Sequence, residues 1–201
     1  SDNVVIFGAG SIGLCALMAA RASRAKTIII EPLANRQEFA KRIGVDHVID
    51  PTKEDVKDMV DKYTDGIGGN LVVEASGNDN AITTIFDVAA HSARVRLIGH
   101  SIGRKVPVEI GKTIWKTLLI TGSGGVKAFL PRTITFMDRI RNDFNFSRLT
   151  EYFMNVHDIY NYLMIPRSLS LMNVTRCFIS SKGSISSSIL CKDSLILSFE
   201  R

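Results

Sequence analysis

The chain has 201 residues, enough for one large domain or a domain with an appendage. Its 45% hydrophobic and 22% charged content excludes a wholly disordered chain, a collagen-like repeat and a disulfide mini-protein. The net charge of +5 is spread without a basic, aromatic-rich stripe, and the longest near-apolar stretch, residues 12–20, falls far short of the ~20 needed to cross a bilayer, so neither nucleic acid nor membrane is an expected partner.

In chain order, residues 4–7, 27–30, 47–49, 71–73, 95–98 and 118–121 are short runs rich in Val, Ile and Leu. Runs of this kind suit parallel strands buried on both faces. Between them lie helical patterns. Residues 12–23 are apolar nearly all round. Residues 35–43 put Phe39, Ala40 and Ile43 on one face, residues 53–63 put Val56, Met59, Val60 and Tyr63 together, and residues 79–90 carry Ile82, Ile85, Phe86 and Ala89. Repeated strand–helix alternation means an α/β fold with a mostly parallel sheet. Beyond residue 125 the rhythm breaks. The pattern predicts an amphipathic helix over 129–142 with Pro131 in its first turn, a short helix over 158–164, and short alternating strands over 177–180 and 189–191. Two regions are therefore expected, an α/β domain over 1–145 and a divergent segment over 146–201.

The chemistry concentrates at the first strand. Gly8-Ala9-Gly10-Ser11-Ile12-Gly13 is GxGxxG between a strand and a helix. Gly8 makes the turn off the strand, Gly10 leaves the backbone open to a pyrophosphate, and Gly13 allows close packing of helix on sheet. The N–H groups opening the helix at Ser11 and Ile12 then face the phosphates. Glu31 ends the second strand 18 residues after Gly13, near the offset at which an acidic side chain meets the adenosine ribose. Arg36 opens the next helix, either against the ribose and adenine or as a solvated arginine.

These residues, with Glu31-Pro32 and the run from Ala40 to Asp50, resemble the cofactor domain of zinc-type medium-chain dehydrogenases, especially the polyol, butanediol and threonine dehydrogenases. The similarity continues through the run from Thr64 to Gly77, which contains Glu74-Ala75-Ser76-Gly77, then Arg94 to Gly99 and Leu119 to Ser123, in order over about residues 3–125. The resemblance implies a six-stranded, doubly wound Rossmann domain that binds NAD. It places Gly8, Gly10, Ser11, Ile12 and Gly13 on the pyrophosphate and Glu31 on the ribose, with Arg36 near it. Gly99 and Ser123 fall at the nicotinamide, and Ile98 either there or in the strand core. It also implies an oxidoreductase acting on a secondary alcohol or polyol, with homodimeric assembly.

Departures accompany the likeness. The turn at 22–26 is short and lacks the usual glycine, and His91-Ser92-Ala93 replaces a Pro-Gly-Gly turn. The family's closing strands are not recognisable after about residue 165. The zinc ligands of such enzymes belong to a separate N-terminal domain, so this chain is expected to be a fragment that binds NAD without zinc and supplies no catalytic residue. The four histidines, His47, His91, His100 and His157, have no metal-ligand spacing. Of the four, only His100 follows the fifth strand on the expected nicotinamide side, and with no carboxylate partner visible in sequence it reads first as a solvated loop histidine. The odd set of three cysteines without CxxC spacing suits a reduced, cytoplasmic setting. Two other readings remain: a non-catalytic nucleotide-binding module, and a zinc-free reductase, against which the tight glycine loop and Glu31 both argue.

Overall fold

The computed structural model describes residues 1–100, 102–124, 130–142 and 144, all within one compact unit, Ser1–Phe144. The elements follow as β1 (Asn3–Phe7), α1 (Ser11–Ala22), β2 (Lys26–Ile30), α2 (Ala34–Ile43), β3 (His47–Ile49), α3 (Val56–Thr64), β4 (Gly69–Glu74), α4 (Asp79–Val88), β5 (Ala89–Leu97), α5 (Ile110–Trp115), β6 (Leu119–Gly122) and α6 (Leu130–Ile140). The expected segment 146–201, with its helix at 158–164 and strands at 177–180 and 189–191, lies outside the described residues.

The six strands form one sheet in the order β3-β2-β1-β4-β5-β6, and every neighbouring pair is parallel. This is the doubly wound Rossmann order. All five residues of β1 are buried, as are four of five in β2, because helices cover both faces of a parallel sheet. Alternate side chains divide between those faces. Val5, Phe7, Ile28, Ile30, Ile49, Val72 and Val95 join Val60 of α3 and Ile82, Ile85 and Phe86 of α4 in one cluster. Ile6, fully buried, faces α1 instead.

The junction between α4 and β5 differs from the sequence reading. The fourth helix stops at Val88 and the fifth strand begins at once at Ala89, where a helix through residue 90 and a strand from 95 were expected. The Lys116 ammonium ends that helix by donating to the carbonyl oxygens of Phe86, Asp87 and Ala89 at 2.8–2.9 Å. The three residues His91-Ser92-Ala93 then lie inside β5 as an irregularity: Gly69 pairs with Ala89 but Leu71 pairs with Arg94. The six-residue α5 has no counterpart in the sequence reading, being too short to display a period.

Parallel pairing puts all strand C-termini on one edge. Phe7, Ile30, Ile49, Glu74, Leu97 and Gly122 end there, and the strand order reverses between β1 and β4. In open α/β sheets ligands bind outside the strand ends at that switch point.

Candidate functional site

The glycine loop sits at the switch point. Gly8 leaves β1 at φ +96°, a left-handed conformation that favours glycine, and its N–H donates to the Ile30 carbonyl at 2.8 Å. The Ala9 N–H donates to Glu31 Oε2 at 2.8 Å, while Glu31 Oε1 accepts from the Leu33 N–H at 3.0 Å. Glu31, 3% exposed, thus ties the tip of β2 to the loop. A carboxylate offers about four acceptor positions, so two of these bonds leave capacity for further donors.

The glycines of the loop answer to different demands. A Cβ on Gly13 would stand 1.9 Å from the Gly8 carbonyl oxygen, so the fold itself requires glycine there. Among the described residues a Cβ on Gly10 would meet no atom within 4 Å, and its backbone is extended. None of these residues requires a glycine at position 10. The space above it opens beside the start of α1, where Gly10 is the N-cap, no side chain caps the helix and the first turn holds no acid. The opening N–H groups of a helix have no intrahelical acceptor and carry partial positive charge. Ser11 is half-buried and Ile12 is exposed beside this opening, and Arg36 lies in the first turn of α2 just after Glu31.

The second wall comes from β4 and β5. Phe7 and Glu74 are register partners, the Ala75 N–H donates to the Phe7 carbonyl at 2.9 Å, and a Cβ on Gly8 would lie 3.0 Å from Ser76 Cα. The turn after β4 therefore rests against the glycine loop. Its organiser is Glu74, fully buried, which the sequence reading quoted in a motif and gave no role. Glu74 Oε1 accepts from the N–H groups of Ser76 and Gly77, both at 2.8 Å, and from the Ser76 hydroxyl at 2.6 Å. Glu74 Oε2 accepts from the Gly99 N–H at 3.2 Å.

Ile98 and Gly99 lie just past the end of β5, both half-buried, and the Glu74 carbonyl accepts from both N–H groups, at 2.9 and 3.1 Å. Ser123, exposed, follows β6 and its N–H donates to the Leu97 carbonyl at 2.9 Å. The three residues share one edge, and their N–H groups are engaged within the protein.

His100 corrects the sequence reading. Its side chain is 17% exposed and lies between two carboxylates, with Nδ1 3.4 Å from Glu74 Oε2 and Nε2 3.2 Å from Asp79 Oδ1. Arg104 Nε is 2.7 Å from the same Asp79 oxygen. Arg104, and after it His100, hold the Asp79 carboxyl below the usual carboxylate range. Both partners stand more than 20 residues away in sequence, beyond any local pattern. Among the described residues no group of three His, Cys, Asp or Glu side chains could hold a metal, and no helix is long and apolar enough to cross a membrane.

Residues 11–140 match the family described as zinc-binding dehydrogenase. This chain belongs to that family. Scyllo-inosose 3-dehydrogenase of Thermotoga maritima is 31% identical over 183 residues, which cover 87% of this chain and 45% of that protein. L-threonine 3-dehydrogenase of Pyrococcus horikoshii is 38% identical over 125 residues, 61% of this chain and 36% of its own length. A zinc-binding dehydrogenase of Sinorhizobium meliloti 1021, solved bound to NADP, superposes with a TM-score of 0.58 at 25% identity, covering 61% of this chain and 37% of that one. The chain thus spans less than half the length of these relatives. The similarity to zinc-type dehydrogenases read from the motifs is a family membership, and the Rossmann fold it implied is the one observed.

Proposed function

We propose that these residues form the cofactor-holding part of an oxidoreductase that moves a hydride between a secondary alcohol or polyol and NAD. The observation that carries this reading is the open space above Gly10 beside the uncapped start of α1, at the switch point of the sheet. A pyrophosphate fits that cradle by chemistry: backbone N–H donors and a positive helix end, with no acid in the first turn to repel it. Gly8, Gly10, Ser11, Ile12 and Gly13 would hold it. Glu31, with acceptor capacity left, would take the ribose hydroxyls, with Arg36 nearby. Ile98, Gly99 and Ser123 would line the nicotinamide end. When bound, the nicotinamide supplies the hydride acceptor.

The residues described offer zinc no ligand set, so the reading assigns zinc to a part of the enzyme outside these residues and gives this chain no acid, base or metal ligand. The relatives support a small hydroxylated substrate, since scyllo-inosose and L-threonine both carry secondary hydroxyl groups. A homodimer and a cytoplasmic setting complete the proposal.

Calorimetric titration of the 201-residue chain with NADH tests it. Saturable binding is expected, together with no oxidation of secondary alcohols by the chain alone. Absence of binding at millimolar NADH, or turnover at ordinary enzyme rates, would refute it.

A further inference from the structure

The His100 imidazole bridges two acid side chains that belong to different elements, Glu74 at the end of β4 and Asp79 at the start of α4. A neutral imidazole has one N–H donor and one bare acceptor nitrogen. It can donate to one of these carboxylates, and must then turn a lone pair toward the other. Only the imidazolium donates to both. Among the described residues the charged groups around the ring are Glu74, Asp79 and, through Asp79, Arg104 on the ring's own loop. Glu74 is fully buried, so solvent does not substitute for the ring at that oxygen.

The ring stands at the end of a continuous chain of contacts. Glu74 Oε2 receives both His100 and the Gly99 N–H, and Oε1 of the same carboxylate holds Ser76 and Gly77. A Cβ on Gly77 would lie 2.7 Å from the Gly99 carbonyl oxygen, so the two turns touch, and Ser76 lies against Gly8. Movement of the loop after β5 is felt at the glycine loop through these contacts.

We propose that His100 is a positioning residue: carrying its second proton, it latches the loop after β5 onto β4 and α4 and so sets how firmly the cofactor is held. The proposal rests on the cofactor reading above. The latch needs a proton, so it is closed at low pH and opens as the pH rises. Opening takes one partner from Glu74 Oε2, which also holds Gly99, and so loosens the carboxylate that ties the two turns together.

The test uses the full 201-residue chain labelled with nitrogen-15. NMR follows the His100 ring nitrogens and the Gly99 and Asp79 amides over about pH 5.5 to 8.5, the range in which histidine charge changes. Calorimetry measures NADH affinity at the same pH values for wild type and His100→Asn. The amide signals should move in step with loss of the ring proton. Wild-type affinity should fall about tenfold along the same course, as expected when one charge-assisted bond is lost. The variant should show a flat profile at the weaker level. Asp79→Asn, which removes one acceptor charge and keeps the ring, should flatten the profile too and serves if His100→Asn does not fold. A flat wild-type profile, or a variant that reproduces the wild-type slope, overturns the latch while leaving the cofactor reading intact. If NADH fails to bind at every pH, the cofactor reading falls instead. The amides then decide the latch alone, and signals that stay still while the ring titrates overturn it.

Discussion

Replacing Gly13 with alanine would set a methyl carbon 1.9 Å from the Gly8 carbonyl oxygen and 2.9 Å from the Gly8 carbonyl carbon. Both are backbone atoms at the turn between β1 and α1, so no side chain can rotate away. Either α1 lifts from the sheet or the loop deforms. Overpacking of this kind costs about 1–3 kcal/mol, against a total stability of about 5–15 kcal/mol for a domain. At ~2–4 °C per kcal/mol the melting temperature should fall by about 2–12 °C. Gly10→Ala is the contrast. Its Cβ meets nothing within 4 Å among the described residues and its φ of −74° suits any residue. The poorer N-cap costs about 0.5–1 kcal/mol, and the stiffer unfolded chain returns a similar amount, so stability should barely change. NADH affinity should nevertheless drop by at least about tenfold, because the methyl group fills the space proposed for the pyrophosphate. Thermal unfolding by circular dichroism and NADH fluorescence titration, run on both variants, separate the two effects. A Gly10→Ala chain that binds NADH like wild type would remove the main support for the cofactor site, and a Gly13→Ala chain as stable as wild type would show that the helix approach is not tight.

NAD should bind about tenfold more tightly than NADP, since a 2′-phosphate beside the Glu31 carboxylate sets like charges a few ångströms apart. Glu31→Ala should narrow that ratio; because it also orphans the Ala9 N–H, at about 1–3 kcal/mol of stability, the ratio of affinities and not either affinity is the measurement, and an unchanged ratio refutes the placement. Burial, with Lys26 acting in the same direction, holds the His47 imidazole below the usual histidine range, where its ring stacks on Tyr63 with centroids 3.9 Å apart. The neutral ring is favoured in the folded state, so its stability contribution is present above about pH 6.5 and is lost as the pH falls through the lowered value. Urea unfolding from about pH 8 to 5 should therefore decline less steeply in His47→Phe, and equal slopes would refute it.

The fold was legible because buried parallel strands announce themselves as apolar runs, and β1 and β2 lie within a residue of where those runs place them. Glycine spacing likewise located the turn between β1 and α1. The junction of α4 and β5 was not legible: Val88-Ala89-Ala90 is apolar in either period, and what ends the helix is Lys116, nearly thirty residues later. The ties of His100 to Glu74 and Asp79 escaped for the same reason. Charge and spacing describe neighbours along the chain, while these partners meet only once the sheet is assembled. Glu74 read as one residue of a motif, although its burial and its many donors make it the organiser of that edge.

The order of the strands also carries a consequence for how the site comes into being. Asn3 pairs with Lys26, Ile28 with His47, Leu71 with Arg94 and Arg94 with Leu119, each partner lying at most 25 positions further on. Val4 pairs with Leu71, and the hydrogen bond from Asn3 to Asn70 beside it spans 67 positions. Closing a loop nearly three times longer adds only about 1 kcal/mol of chain entropy, yet long-range pairing is the slow kind. Each half of the sheet can thus organise its own turns, with Glu31 bracing one set and Glu74 the other, before the halves join. The crevice is the seam between them. Nucleotide binding should therefore be the last property acquired as the chain folds, appearing only when β1 and β4 zip together.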